Sequence, residues 1–408
     1  MSGWPHAALR DVADIQLGKM LSPAAKRGVR PLPYLRNANV QWDRFDLADV
    51  AEMDFTEAEE AKFRLRQGDV LVVEGGEPGR AAVWDGSIER ACYQKAVHRI
   101  RPHDDRLDPQ FLVYRLWAGG LRGEFTSGET KTTIAHLPLV RLKRVAVPLP
   151  PLDEQRRIAA RLREQLTMSA AIRLRVENQL ETLTRVREED LASTFARIDA
   201  PPIALGAAVS APGAIADGPF GSHLKTEHYT PNGVRVIRLQ NIGSGAFLDH
   251  DRAFVTAEHA ESLTRHSARQ GDVVVAALGD GARPAGRACQ VPDIGPAIVK
   301  ADCFRVRTDG APVDPGFLVW FLNSPPTQAK IASQMRGATR PRVTLAMLKA
   351  VAIPLPPLTE QRQIVARLRE QLAETDRAKA ALEAQRKAID ALPAALLREV
   401  FGASPVGG

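Results

Sequence analysis

Apolar residues recur at spacings of three and four through two long stretches of the chain that are otherwise charged. In the first they fall at Ile158, Leu162, Leu166, Ile172, Val176, Leu180, Leu183, Val186, Leu191 and Phe195, with no glycine or proline from Asp153 to about Arg197. In the second they fall at Ile364, Leu368, Leu372, Leu382, Ile389, Leu392, Leu396 and Val400. This periodicity predicts two long amphipathic helices, each with a coiled-coil-like stripe that must be buried. At 1.5 Å per residue, forty-odd residues make a rod of roughly 60–65 Å. Each helix follows Pro-Pro-Leu, which blocks backward extension and puts Asp153 and Thr359 at the N-cap. Pro393 interrupts the second stripe near its end and predicts a kink there.

The rest of the chain reads as short strands bounded by Gly, Pro or Asp turns: Asp69 to Val73, Val97 to Ile100, Val145 to Val147, Val234 to Leu239, Asp272 to Ala276 and Cys303 to Val306. Short helices are expected at Pro109–Trp117 and Pro315–Leu322.

These elements occur twice. PLPPLDEQRRIAARLREQL from Pro148 and PLPPLTEQRQIVARLREQL from Pro354 differ at three of 19 positions. Upstream, LKRVAVPLPP matches LKAVAIPLPP, LDPQFLVYRLW matches VDPGFLVWFLN, RQGDVLVVEGG matches RQGDVVVAALG, and YLRNANV echoes VIRLQNI. The chain is thus two copies of one unit of about 200 residues, each a globular part followed by a helix. The expected organisation is a mixed α/β domain at 1–147, a long helix at 148–198, a second domain at 199–353, a second helix at 354–402 and a disordered tail at 403–408. The natural partner for each stripe is the other helix, paired through Ile158, Leu162, Leu166, Leu180 and Leu183 with Ile364, Leu368, Leu372, Leu382 and Ile389. An antiparallel pair relates the two copies by a pseudo-twofold.

Composition narrows the function classes. Of 408 residues, 44% are hydrophobic and 25% charged, ordinary for a soluble globular protein, and no apolar run approaches the ~20 residues of a membrane span. The amino terminus lacks the apolar core of a signal peptide, so a cytoplasmic protein is expected. Three widely spaced cysteines, Cys92, Cys289 and Cys303, predict buried thiols and neither disulfides nor a zinc knuckle. The net charge is +7, spread over the four segments as an excess of two, one, three and one. An acidic partner therefore requires folding to gather positive charge on one face.

No catalytic signature stands up. There is no G-x-x-x-x-G-K-[ST], no G-x-G-x-x-G after a strand, no Asn/Asp-Pro-Pro-aromatic tetrapeptide of amino-methyltransferases, and His223 and His228 lack the spacing of H-E-x-x-H. VPDIGPAIVK lacks the acidic residue two before Lys300 that a nuclease would use. The glycine-rich loops GGEPGR, ending at Arg80, and GDGARPAGR, ending at Arg287, read either as hairpin turns with a solvated arginine or as loops that bring backbone close to a phosphate. SGETKTT and RGATRPR offer short polar side chains among Lys131, Arg340 and Arg342, suited to phosphates and base edges or simply solvated. Strands and junctions match between the copies while these loops differ, which points to two readers of different things on one scaffold.

The doubled P-L-P-P-L-x-E-Q-R-x-I before a long helix, with DGPFGSHLK, VIRLQNI and GDVVV in the second copy, resembles the specificity subunit of type I restriction-modification systems over nearly the whole length. The first copy departs from the pattern, having LGKMLSPAAKRGV in place of DGPFGS. The resemblance implies an α+β fold with two target recognition domains joined by two long antiparallel coiled-coil helices. It implies that each domain reads part of a bipartite duplex DNA target, with the helices as ruler. Two modification subunits would methylate adenine N6 with S-adenosylmethionine, restriction subunits would add ATP- and magnesium-dependent translocation and cleavage, and this chain would hold no cofactor and do no chemistry. By matching position the DNA contacts fall on Arg80, Lys131, Thr132 and Thr133 in the first copy. In the second they fall on Ser222, Lys225, Arg287, Thr339, Arg340 and Arg342. Arg36, Asn39, Arg238, Gln240 and Asn241 form a second tier, in which Asn39 and Asn241 either contact DNA or cap turns. The alternative from another class is a coiled-coil scaffold with two protein-binding heads.

Overall fold

The computed structural model describes residues 3–103, 106–126, 136–219, 223–280, 283–335 and 341–402. The chain forms two compact units, one of residues 1–177 with 384–408, the other of residues 178–383. The two long helices, Leu152–Ala196 and Leu358–Phe401, each contribute to both.

In the first unit a four-stranded antiparallel sheet runs in the order Ala13–Leu17, Val97–Pro102, Val70–Val73, Ala81–Val83. The second unit repeats it as Ile215–Asp217, Cys303–Val306, Val273–Ala276, Ala288–Gln290. The middle strands are buried on both faces, which is why they read as unbroken runs such as VLVV and VVVA. A second sheet lies in each unit, three-stranded around Pro31–Leu35 in the first and five-stranded around Val234–Ile237 in the second. A short helix, Pro109–Leu121 or Pro315–Asn323, covers the main sheet and is N-capped by Asp108 or Asp314, whose carboxylate accepts from the N–H of Phe111 at 2.8 Å or Phe317 at 3.0 Å. The expected strands and helices form near these positions, except that the strand expected over Val234 to Leu239 ends at Ile237 and Leu239–Asn241 is a short 3-10 turn. The three thiols are buried as expected, and desolvation pushes Cys92 and Cys289 up to about 12 and Cys303 well above the ordinary thiol range.

The repeated junction is held by one buried amide. In the first unit Gln155 donates from Nε2 to the carbonyls of Arg106 and Pro150, both at 2.9 Å, and its Oε1 accepts from the N–H of Asp108 at 2.9 Å. In the second, Gln361 donates to Pro312 at 2.9 Å and Pro356 at 2.8 Å and accepts from Asp314 at 2.8 Å. Both residues are fully buried. Each amide ties the proline run, the start of the long helix and the capped start of the short helix into one corner. The N-cap expectation needs correcting: the helices begin at Leu152 and Leu358, so Asp153 and Thr359 lie inside the first turn. The carbonyls of Pro151 and Pro357 accept from the N–H groups of Gln155 and Gln361 and close that turn. The chain also stays helical through Pro393 to Phe401.

Most of each stripe is buried, against more than the other helix, but Val186 and Leu392 are exposed, contrary to expectation. In the first unit Ile158, Leu162 and Leu166 enter one core with the sheet, with Phe111 of the short helix and with Leu397, Val400 and Phe401 from the end of the second long helix. In the second unit Ile364, Leu368 and Leu372 do the same with Phe317 and with Leu191 and Phe195 from the end of the first. Ile389 is buried, and Leu180, Leu183 and Leu382 are half-buried. Arg173 and Asp390, 3.3 Å apart, and the pair Arg187 and Asp376 cross between the helices within the first and second unit respectively.

Gln155→Leu removes an amide whose three partners are backbone groups, leaving one N–H and two carbonyls buried and unpaired. It is expected to lower stability by on the order of 2–3 kcal/mol, measured by urea unfolding, whereas a surface control, Gln179→Leu, changes it little.

Candidate nucleic-acid interface

In each unit several strand ends meet at one end of the sheets. In the first unit Gly18 N–H bonds Val97 O, Lys19 N–H bonds Tyr93 O, Gln94 N–H bonds Leu35 O, Glu74 N–H bonds Ala96 O and Leu137 N–H bonds Glu74 O, at 2.7–3.2 Å, and Gly75 bridges His136. In the second, Gly218 N–H bonds Cys303 O, Lys300 N–H bonds Ile237 O, Ala277 N–H bonds Asp302 O and Val343 N–H bonds Ala277 O, and Leu278 bridges Arg342. Glycine is required at the first of these crossings, because a Cβ on Gly18 would lie 2.3 Å from Gln94 O and one on Gly218 2.0 Å from Lys300 O. Gly75 and Leu278 of the glycine-rich loops, the turns after Leu35 and Ile237, and His136 and Arg342 therefore converge.

Matching these bonds puts different side chains in equivalent places: Gln94 with Lys300, Lys95 with Ala301, Ala96 with Asp302 and His136 with Arg342. None of these but Arg342 was expected from the sequence to contact DNA. The signal was present in YQKAVHRI against VKADCFRV, where an aligned strand follows a turn that differs at every position. Lys95 and His136 are exposed, and Lys300 and Arg342 are half-buried.

Several expected contacts are placed as scaffold. Arg287 is fully buried: Nε donates to Ile242 O at 2.7 Å, Nη1 to Leu278 O at 3.0 Å and Pro284 O at 2.9 Å, and Nη2 to Leu239 O at 3.0 Å, beside Asp280. Burial pulls its pKa down while Asp280 opposes. As a clamp on the loop it presents no surface to a ligand, which corrects the reading from its place on a glycine-rich loop. Arg80 makes the equivalent bond to Asn37 O at 2.9 Å, is held by Glu77 at 3.3 Å, and is largely covered. Asn39 and Asn241 are buried and cap turns: each Oδ1 accepts from the N–H of Arg36 or Arg238 at 2.9 Å, and each Nδ2 donates to two carbonyls of the following loop. Arg36 is tied to Asp49 at 2.7 Å, Arg238 to Asp251 at 2.6 Å, and Gln240 to Asp251. Lys225 is exposed near Glu227 at 3.5 Å. Lys131, Thr132, Thr133, Ser222, Thr339 and Arg340 lie outside the described residues.

The first unit carries an ion-pair cluster beside this end that anchors the loop following Gly18. Lys19 Nζ reaches Asp54 O at 2.7 Å and Glu59 at 2.6 Å; the Asp54 carboxylate accepts from the N–H groups of Arg30 at 2.6 Å and Gly28 at 2.8 Å. Glu60 is gripped by Arg90 through two bonds of 2.7 Å and by Arg30 at 2.5 Å. The hydrogen bond from Arg90, then that from Arg30, hold its pKa down at about 2 against the desolvation that opposes them. The Arg30 N–H lowers Asp54, and Lys19 lowers Glu59.

Comparison with known proteins places the chain. The family model described as the type I restriction modification DNA specificity domain matches residues 1–182 and 314–387. The MjaVIII type I restriction enzyme specificity subunit of Methanocaldococcus jannaschii is 22% identical over 70% of both chains. The EcoBI specificity subunit of Escherichia coli is 24% identical over 72% of this chain and 65% of its own. Among solved structures, a chain from a study of complex assembly and conformational transition in a type I R-M system superposes with a TM-score of 0.77 at 19% identity, over 98% of both chains. The HsdS subunit from Thermoanaerobacter tengcongensis gives 0.58 at 19% identity, over 98% of this chain and 97% of its own.

Because Glu60 is held below its ordinary value of 4.5 in the folded chain, its contribution to stability is present above about pH 4.5 and lost as the pH falls towards about 2. Glu60→Gln is therefore expected to lower the melting temperature at pH 7 and to flatten its fall between pH 4.5 and 2, measured by scanning calorimetry.

Proposed function

The chain belongs to the type I restriction-modification DNA specificity family, and from that premise we propose that each unit reads one part of a bipartite, asymmetric duplex target with the convergent end of its sheets. The observation that carries this reading is the exchange of side chains at equivalent places on a repeated backbone: Gln94, Lys95 and His136 in one unit against Lys300, Ala301 and Arg342 in the other. Matching backbone bonds put these groups at equivalent places, so differences among them translate into different base preferences. Lysine and arginine at the strand ends supply phosphate contacts, which set register and make affinity fall with salt.

The long helices in this reading hold the spacing between half-sites and dock two adenine-N6 methyltransferase subunits. Exposed apolar side chains support a docking role: Met168, Leu174 and Leu392 in the first unit and Val186 in the second. S-adenosylmethionine, ATP and magnesium then bind partner subunits, including a restriction subunit where one is present, and this chain contributes recognition without chemistry. No described helix is long and apolar enough to cross a membrane, which fits action on cytoplasmic DNA. Two protein-binding heads on a coiled coil would leave the paired exchange of side chains at the strand ends without a purpose.

Hydroxyl-radical footprinting of the chain assembled with its modification subunit is expected to give two protected patches separated by an unprotected spacer. Lys95→Ala should weaken one patch and Lys300→Ala the other, with a shallower salt dependence in each case. A single patch, or equal loss at both, contradicts two independent readers.

A further inference from the structure

In the second unit Arg342 returns to the end of the central strand, where it bridges Leu278 next to the Val343–Ala277–Asp302 run of backbone bonds. Asp302 stands in the left-handed region, at φ 72. Its carboxylate lies 2.6 Å from Nη1 of Arg342, with both side chains about one-third exposed, at 36% and 32%. A non-glycine residue is uncommon there, although aspartate is among those that adopt it, and a partly exposed ion pair contributes little to stability. The first unit shows that the scaffold does not need either feature. At the equivalent places it has Ala96, which is not left-handed, and His136, yet the bridge to Gly75 and the bonds of Glu74 form in the same way.

A left-handed, ion-paired aspartate in one copy and absent from the other, at the end where the strands converge, points to a local functional constraint. We propose that Asp302 is a positioning residue that fixes the guanidinium plane of Arg342 for the edge of a guanine in the major groove, and that His136 occupies the corresponding reading place in the other half-site. The chemistry is complementary: guanine presents N7 and O6 side by side, arginine is a rigid planar fork of five donors, and a carboxylate on one Nη removes the rotational freedom that would blur the choice of base. This inference rests on the two-reader function proposed above.

The test measures base preference at every position of the target, by competition binding of the intact assembly with modification subunits against single-base variants of the duplex. Arg342→Ala and Asp302→Gly are expected to lose preference for G·C at the same single base pair, about tenfold or more, with every other position unchanged. Asp302→Asn, which keeps an acceptor and tolerates the backbone, should retain part of the preference, and Asp302→Gly should melt at or above the wild-type temperature. If Asp302→Gly lowers affinity equally for all four bases, or leaves the preference intact, the positioning role is overturned. A loss spread over both half-sites overturns it too. A wild-type assembly without sequence preference in either half overturns the two-reader function itself, a result distinct from the others because it does not depend on the variants.

Discussion

One primary amide, used twice, organises each half of the molecule. Gln155 and Gln361 sit one turn into the long helices and bond backbone groups of two other segments. The proline run that precedes each helix has carbonyls but few N–H groups, so it cannot satisfy itself by secondary structure. The glutamine supplies the missing donors, and its own oxygen is satisfied by the N–H of the residue that caps the short helix. Three directions of chain are thereby fixed against one another at a buried point, where an unpaired polar group is costly. The start of each long helix then leaves its globular unit at a defined angle, and its first apolar residues complete that unit's core.

With the junction fixed, the opposite demand can be met at the strand ends. Inward-facing arginines and asparagines hold the loops: Arg287 and Arg80 grip the turn after Ile237 or Leu35, and Asn241 and Asn39 cap it. Because most of the acceptors are backbone carbonyls, with Asp280 and Glu77 adding one carboxylate each, this grip depends little on the identity of the other loop side chains. The side chains that do vary are carried on the same bonds, so the target of a unit can change without disturbing its fold. The two copies in this chain already differ in that manner.

Much of the architecture was legible in the sequence. The repeat and the long helices follow from internal matches and periodicity, and the strands follow from short runs bounded by turn residues. The site was less legible. Gln155 stands among Glu154, Arg156 and Arg157 and reads as one more solvated helix position; only the tertiary approach of Arg106, Asp108 and Pro150 buries it. Arg287 reads as an exposed loop cation for the same reason, since its acceptors come from 239, 242, 278 and 284. Gln94, Lys95 and His136 are separated by about forty residues, so their convergence depends on sheet order and not on local pattern. Family resemblance located the function, and the geometry redistributed the roles among its residues.

The claim that one scaffold, repeated, carries two different readers is tested most directly by single-molecule sequencing of methylated adenines in cells expressing this chain with its modification subunit, compared with cells from which the chain is deleted. The account predicts a split asymmetric motif, two short specific halves around a spacer of fixed length, that disappears with the chain. A stable assembly that leaves no motif, or one whose motif is continuous, would contradict it.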